Sequence, residues 1–318
     1  MNLMPQHKTA SLPAAIRLLR PEQWVKNLFV FAALLFANEI LDPASWLKVV
    51  GAFAGFCMLS SSLYTLNDIA DAEEDSHHPD KKYRPVPAGE IKKVTAYSIA
   101  TISFLAGAGL CLIVSYQLLI IGILLFVLLL LYTYWFKHRM LLDVLCIALG
   151  FVLRAVAGAV AIEVSASPWL LSCTFTLCLF LGFAKRRCEV VSLSTTDGNG
   201  SRYRRTLNHY TTPLLDQLMS ITAGVSLVTY VLYTYAPATV DKFGTPYLFM
   251  SSLFVIYGIF RFTMLVEAGH IHEPTDAILK DRPFQLCLFL WAMYCVLIVT
   301  RGPQIQQAVE SIFGTLIQ

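Results

Sequence analysis

Long apolar runs divided by polar connections set the pattern of this chain. Nine of them have the length and composition of membrane-crossing helices: 27–41, 46–66, 95–115, 117–136, 141–162, 168–184, 215–235, 246–266 and 284–300. The first is short for a span and relies on flanking residues to complete it. The third and fourth meet at Ser115-Tyr116-Gln117, a tight hairpin. The period-two alternation that a membrane barrel needs is absent. The expected fold class is therefore all-α: a polytopic membrane protein of nine transmembrane helices, with residues 1–318 forming a single membrane domain.

Composition narrows the class further. Of 318 residues 56% are hydrophobic and only 14% charged, and the mean hydropathy is +0.61, which excludes an ordinary soluble globular protein. Residues 1–20 have no apolar core after their basic residues, so no cleaved signal peptide is expected. Cys57, Cys111, Cys146, Cys173, Cys178, Cys188, Cys287 and Cys295 lie mostly inside apolar runs and form no CxxC pair. They read as small buried apolar residues, not as a disulfide framework or a zinc site.

The net charge of +3 says less than its distribution. The N-terminus, the 67–94 loop, Lys137 to Arg139, the 185–213 loop and the 261–283 segment together hold 20 of the 24 lysines and arginines. Lys48, Lys242 and Arg301 fall on the opposite side, and Arg154 lies inside a span. By the positive-inside rule the charge-rich side is cytoplasmic, which places the N-terminus inside and the C-terminus outside a plasma (inner) membrane. The inward loops 67–94, 185–213 and 267–283 are long and polar, as functional loops are.

The first of these loops opens with Asn67-Asp68-Ile69-Ala70-Asp71-Ala72-Glu73-Glu74-Asp75, directly after an apolar run. On a helix Asp68, Asp71 and Asp75 share one face, with Asn67 able to join it. Carboxylates about 6 Å apart repel by roughly 3 kcal/mol per pair at an effective dielectric near 20. Such a cluster is either fully solvated or neutralised by a cation. A solvated acidic face is the bland reading; the position against a membrane span favours the cation. Oxygen-only ligands suit Mg²⁺, which keeps waters and bridges to substrate phosphates. Lys81, Lys82 and Arg84 just downstream have the chemistry to hold phosphate.

Other candidates lie on the same side. Trp24 fits an interfacial anchor, while Gln23, Lys26 and Asn27 serve either the interface or a substrate. Lys185, Arg186, Arg187 and Glu189 end the sixth span; topology accounts for the basic residues but not for Glu189, which is one turn from Lys185. Arg202, Tyr203, Arg204, Arg205, Asn208, His209 and Tyr210 follow as surface or phosphate-binding groups. Asp281 and Arg282 stand at the mouth of the last span, where Asp281 also suits a helix start. Arg154, roughly 20 Å along its helix, costs on the order of 2.5–3.5 kcal/mol to insert and should face a polar cavity or an anion inside the bundle. Asp143, nearer the inside, reads as a helix-end residue. His77, His78, His270 and His272 lack the ligand company of a zinc site.

These features resemble the UbiA superfamily of intramembrane prenyltransferases: nine spans, with Asn67-Asp68-x-x-Asp71-x-x-x-Asp75 at the cytoplasmic end of the second. Usual members carry a second aspartate-rich motif after the sixth span, where this chain has Lys185-Arg186-Arg187-Cys188-Glu189. A closer resemblance is to one branch, the decaprenyl-phosphate phosphoribosyltransferases of cell-wall arabinan synthesis. It runs through Arg20-Pro21-x-Gln23-Trp24-Val25-Lys26-Asn27, His78-Pro79-x-Lys81-x-x-Arg84-Pro85, Phe151-Val152-Leu153-Arg154-Ala155, Lys185-Arg186-x-x-Glu189 and Asp281-Arg282.

That resemblance implies a UbiA-type bundle, Mg²⁺ as cofactor, and transfer of phosphoribose from 5-phosphoribosyl 1-diphosphate to a polyprenyl phosphate. It implies catalytic roles for Asp68, Asp71, Asp75 and Glu189, with the three aspartates on the metal. Substrate would be held by Lys26, Asn67, Lys81, Arg84, Arg154, Lys185, Arg186, Asp281 and Arg282. A nucleic-acid partner is not expected, and a homo-oligomer stays open. The rival readings are a conventional prenyltransferase acting on an aromatic acceptor and, from another class, a transporter. A transporter would place its charges near the midplane, whereas here only Arg154 among the lysines and arginines lies within a span and 20 of the 24 crowd one face.

Overall fold

Helix follows helix along the chain, and no strand occurs among the described residues. The computed structural model describes residues 12–37, 39–76, 81–194, 210–269, 271 and 274–316; His77, His78, His270, His272 and the 195–209 stretch, with Arg202 to His209, lie outside them. α1 (Ala14–Leu19) leads into a 3-10 helix, Pro21–Phe31, continued by α2 (Ala32–Phe36). Then come α3 (Pro43–Ala70), the short α4 (Ala72–Ser76), α5 (Lys93–Val114), α6 (Tyr116–Tyr134), α7 (Leu142–Ala161) and α8 (Pro168–Ser194). The chain finishes with α9 (Thr212–Tyr235), α10 (Pro237–Phe243), α11 (Ser252–Glu267), α12 (Pro274–Lys280) and α13 (Arg282–Leu316).

Among the described residues eight helical segments are long and apolar enough to cross a membrane, and they match the second to ninth predicted spans. The first predicted span is the exception. It is not a regular α-helix: the chain there winds as the 3-10 helix and α2. At about 2.0 Å per residue in the first part and 1.5 Å in the second, this segment extends roughly 30 Å, the thickness of a hydrocarbon core. Its ends agree with a crossing. Arg20 pairs with Asp68 at the C-terminal end of α3, while Asp42 caps the N-terminus of the same helix through the Ala44 and Ser45 amides at 3.3 and 2.8 Å.

Tight winding also lets this segment approach its neighbour closely. A Cβ placed on Gly158 of α7 would overlap the carbonyl oxygen of Val30. Gly158→Ala is expected to destabilise the protein by about 1–3 kcal/mol, as over-packing does. Gly109→Ala, in open space on α5, should be neutral or slightly stabilising. Unfolding midpoints of the two variants in detergent separate the cases, and equal midpoints would contradict the close approach.

Adjacent helices pack side by side, α3 along α5 and α8 along α9, and α13 returns to touch α2, which closes the bundle. α3 and α7 are its central members: more than half of each apolar window is buried, against a third or less for every other span. The outer helices turn large side chains such as Ile102, Ile113 and Phe260 outward, the surface a lipid solvent tolerates. One core joins Val30, Leu34, Phe56, Leu59, Leu125 and Ala157. Another joins Val144, Phe180, Phe183, Leu215, Phe262 and Ala277. A small third core, with Leu18, Ile69, Val86, Ile91 and Ala96, pins the 81–92 connection against the end of α3. All eight cysteines are buried and unpaired, as their apolar settings predict.

Candidate active site

The acidic stretch does not continue as one helix. α3 ends at Ala70, and Asp71 takes a capping conformation with φ −93° before α4 begins. Its N–H still donates to the Asn67 carbonyl at 2.9 Å, and the Asp75 N–H to the Asp71 carbonyl at 2.8 Å, so the backbone stays coiled across the break. Asp68 is fully buried and Asp75 nearly so, whereas Asp71 is half-buried.

Asp68 and Asp75 share a cation, and Asp71 has a separate one. Asp68 Oδ1 accepts from Arg20 and, at 3.3 Å, from Arg84 Nη1. The same Nη1 reaches Asp75 Oδ2 at 2.5 Å, and Lys81 Nζ lies 3.7 Å from Asp75 Oδ1. Arg84 thus bridges the two buried carboxylates. Asp71 is held apart by Lys137 at 2.6 Å, on the wall of an open groove of about 400 Å³ that Lys93, Tyr97 and His138 also line. Tyr64 stacks beneath this face: Arg20 sits 5.4 Å and Lys26 6.0 Å from its ring centroid.

No group of three histidine, cysteine, aspartate or glutamate side chains among the described residues forms a ready cation cage. Asp68 Oδ2, however, is enclosed and without a hydrogen-bond partner there. An enclosed carboxylate oxygen left unbonded is costly. With Asp75 it forms an oxygen-only donor set, which fits a hard divalent cation that takes its other ligands from water and phosphate.

Deeper in the bundle Arg154 is 4% exposed. Its Nε donates to Asn27 Oδ1 at 2.7 Å and its Nη1 to the Gly150 carbonyl at 2.9 Å; its guanidinium lies 5.4 Å from the Phe151 ring centre. Asn27 is itself fixed, accepting from Ser60 Oγ at 3.4 Å and donating to Cys57 Sγ at 3.4 Å. The expected position of Arg154 inside the bundle therefore holds, and the short first crossing supplies its partner.

The second basic cluster is more buried than its composition suggests. Arg186, 3% exposed, has its Nε 3.1 Å from Asp143 Oδ2 and donates through Nη1 to Glu189. Asp143 is not simply a helix-end residue: it is fully buried and also accepts from the Tyr210 hydroxyl at 2.9 Å. That hydroxyl accepts the Leu141 N–H at 2.8 Å, where Leu141 adopts φ +67°. Burial raises the Tyr210 phenol above its ordinary pKa, so it remains a donor to Asp143. Arg187 pairs with Asp216 at 2.5 Å, and Lys185 and Glu189 are half-buried. Asp281 grips Arg261 through both carboxylate oxygens, at 3.1 and 2.7 Å, and caps α13 through the Phe284 amide; Arg282 is exposed.

Arg20, Lys137 and Asp143 carry much of this arrangement. Only Arg20 had a sequence signal, its place before Pro21 in a charged segment that precedes an apolar run.

A model of the UbiA prenyltransferase family matches residues 27–292. The decaprenyl-phosphate phosphoribosyltransferase of Mycolicibacterium smegmatis is 31% identical over 288 residues, covering 87% of this chain and 89% of that one. The protein of the same name from Corynebacterium glutamicum is 31% identical over 294 residues, covering 88% and 85%. The solved structure of a UbiA homolog from Archaeoglobus fulgidus bound to GPP and Mg²⁺ shares the fold, with a TM-score of 0.65 and 17% identity over 91% of this chain and 100% of that one.

Proposed function

The chain belongs to the UbiA prenyltransferase family, and on that premise we propose that it transfers phosphoribose from 5-phosphoribosyl 1-diphosphate to a long-chain polyprenyl phosphate. Diphosphate is released, and the product is a precursor of envelope polysaccharide. Two relatives named for this reaction support the reading. The observation that carries it is the interleaving of Arg20, Lys81, Arg84 and Lys137 with Asp68, Asp71 and Asp75 at one end of the bundle. A donor bearing a 5-phosphate and a diphosphate needs this density of cations.

Arg20, Lys81 and Arg84 give up their carboxylate contacts in part to the donor phosphates, and Lys26, Lys185 and Arg282 add charge at the rim. The C1–O bond to diphosphate breaks as the ribose gains oxocarbenium character, and an oxygen of the lipid phosphate forms the new bond at C1. That oxygen is already ionised near neutral pH, so no strong general base is needed. Glu189, held by Arg186, positions a ribose hydroxyl. Bound through Asp68 and Asp75, Mg²⁺ would supply charge neutralisation for the departing diphosphate. Asp71 and Asn67 shape the end of α3, and Asp281 orders the start of α13 beside Arg282. The acidic end faces the cytoplasm of a plasma membrane, as the charge distribution favours.

The test uses the purified chain in detergent with Mg²⁺, decaprenyl phosphate and donor labelled in the ribose. Metal-dependent label in the lipid phase is the expected result. Prenylation of an aromatic acid from a prenyl diphosphate, with no ribose label in lipid, would overturn the proposal.

A further inference from the structure

Arg154 is a permanent cation enclosed at the centre of the bundle, and no carboxylate among the described residues pairs with it. Its partners are neutral: an amide oxygen, a backbone carbonyl and an aromatic face. A buried charge without a counter-ion is an expensive feature for a membrane span to keep. The two bonds it does make fix its orientation. Nε and Nη1 are tied to Asn27 and Gly150, whereas Nη2 has no hydrogen bond among the described residues and is not completely enclosed. Asn27 is aligned by two residues of α3, Cys57 and Ser60, before it meets the arginine. This is a donor held ready for an anion.

Depth says which anion. Ser60 precedes Asp68 by eight residues on α3, so the Arg154–Asn27 pair lies about 12 Å further into the bundle than the carboxylate cluster. A soluble phosphorylated donor meets the cluster end first. A phosphate carried on an apolar chain can be drawn to the greater depth, because its tail gains rather than loses by staying in the lipid phase. We infer that Arg154, oriented by Asn27, is the specificity-determining residue for the phosphomonoester of the lipid acceptor. This rests on the proposed reaction and adds to it a separate acceptor-phosphate subsite below the donor subsite.

The test measures acceptor binding without donor, as the shift of the unfolding midpoint of the full chain in detergent. Decaprenyl monophosphate should raise the midpoint of the native protein and decaprenol should not. Arg154→Met should abolish that discrimination and raise the acceptor KM at least about 30-fold, with little change in donor KM. Because Arg154→Met leaves Asn27 without its partner and risks misfolding, Asn27→Asp is the second variant. It supplies an internal carboxylate to the arginine, so the unliganded protein should stay at least as stable while decaprenyl phosphate binding falls by a similar factor. Native-like acceptor binding in a folded Asn27→Asp or Arg154→Met protein would overturn the inference, and so would a rise confined to donor KM. If the native protein itself ignored decaprenyl phosphate, the proposed reaction would fall, and this subsite with it.

Discussion

Asp68→Asn is expected to lower turnover by about a hundredfold or more, the scale of losing one group that stabilises charge in the transition state, with Mg²⁺ dependence weakened in parallel. The substitution keeps the shape of the side chain and removes one negative charge. Arg20 and Arg84 then face each other across an enclosed amide, and the oxygen best placed for a divalent cation becomes a poorer ligand. Asp71→Asn provides the comparison. Its carboxylate is half-buried and, among the described residues, pairs with Lys137, so its effect should be about tenfold or less, in keeping with a partly solvated pair. Steady-state rates against Mg²⁺ concentration distinguish the two. A larger loss at position 71 than at 68 would show that the inner pair is not Asp68 and Asp75.

The second large effect is on stability. Arg186→Met should cost about 3–5 kcal/mol, because Asp143 would remain fully buried with, among the described residues, only the Tyr210 hydroxyl to hold it. The paired change Arg186→Met with Asp143→Leu should recover much of that loss, since apolar residues of similar volume often replace a buried ion pair at little cost. A double-mutant cycle in detergent measures the coupling. If Arg186→Met lost activity but kept full stability, and the cycle showed no coupling, Arg186 would be a phosphate ligand and not the support for Glu189.

How far the sequence carried these conclusions depends on distance along the chain. Hydropathy marks the later eight spans because each apolar run is long enough to dominate its window. It also marks the first, as a short run over 27–41, but no periodicity announces the 3-10 winding that spreads that run over the same thickness. Asp68, Asp75 and Arg84 fall within 16 residues of one another, so spacing and composition single out the group that meets in space. Lys137 is 66 residues from Asp71, and Tyr210 is 67 from Asp143. Nothing in an apolar run says which other run it will lie against, so these pairings appear only once the helices are packed. For the same reason the sequence accounts for Arg186 by topology and, through the resemblance, by substrate binding, whereas in the fold it is a buried cross-link between Asp143 and Glu189.

The wound-up first crossing also works as a gauge. Arg20 and Asn27 sit seven residues apart on it, one against Asp68 and the other against Arg154. At the 3-10 rise this interval is about 14 Å; an α-helix of the same seven residues would cover only about 10.5 Å. The pitch of one segment therefore sets the vertical separation of two polar stations on two different helices. A lineage that altered the size of the group passing between them could retune the interval by rewinding a few residues here, leaving α3 and α7 untouched.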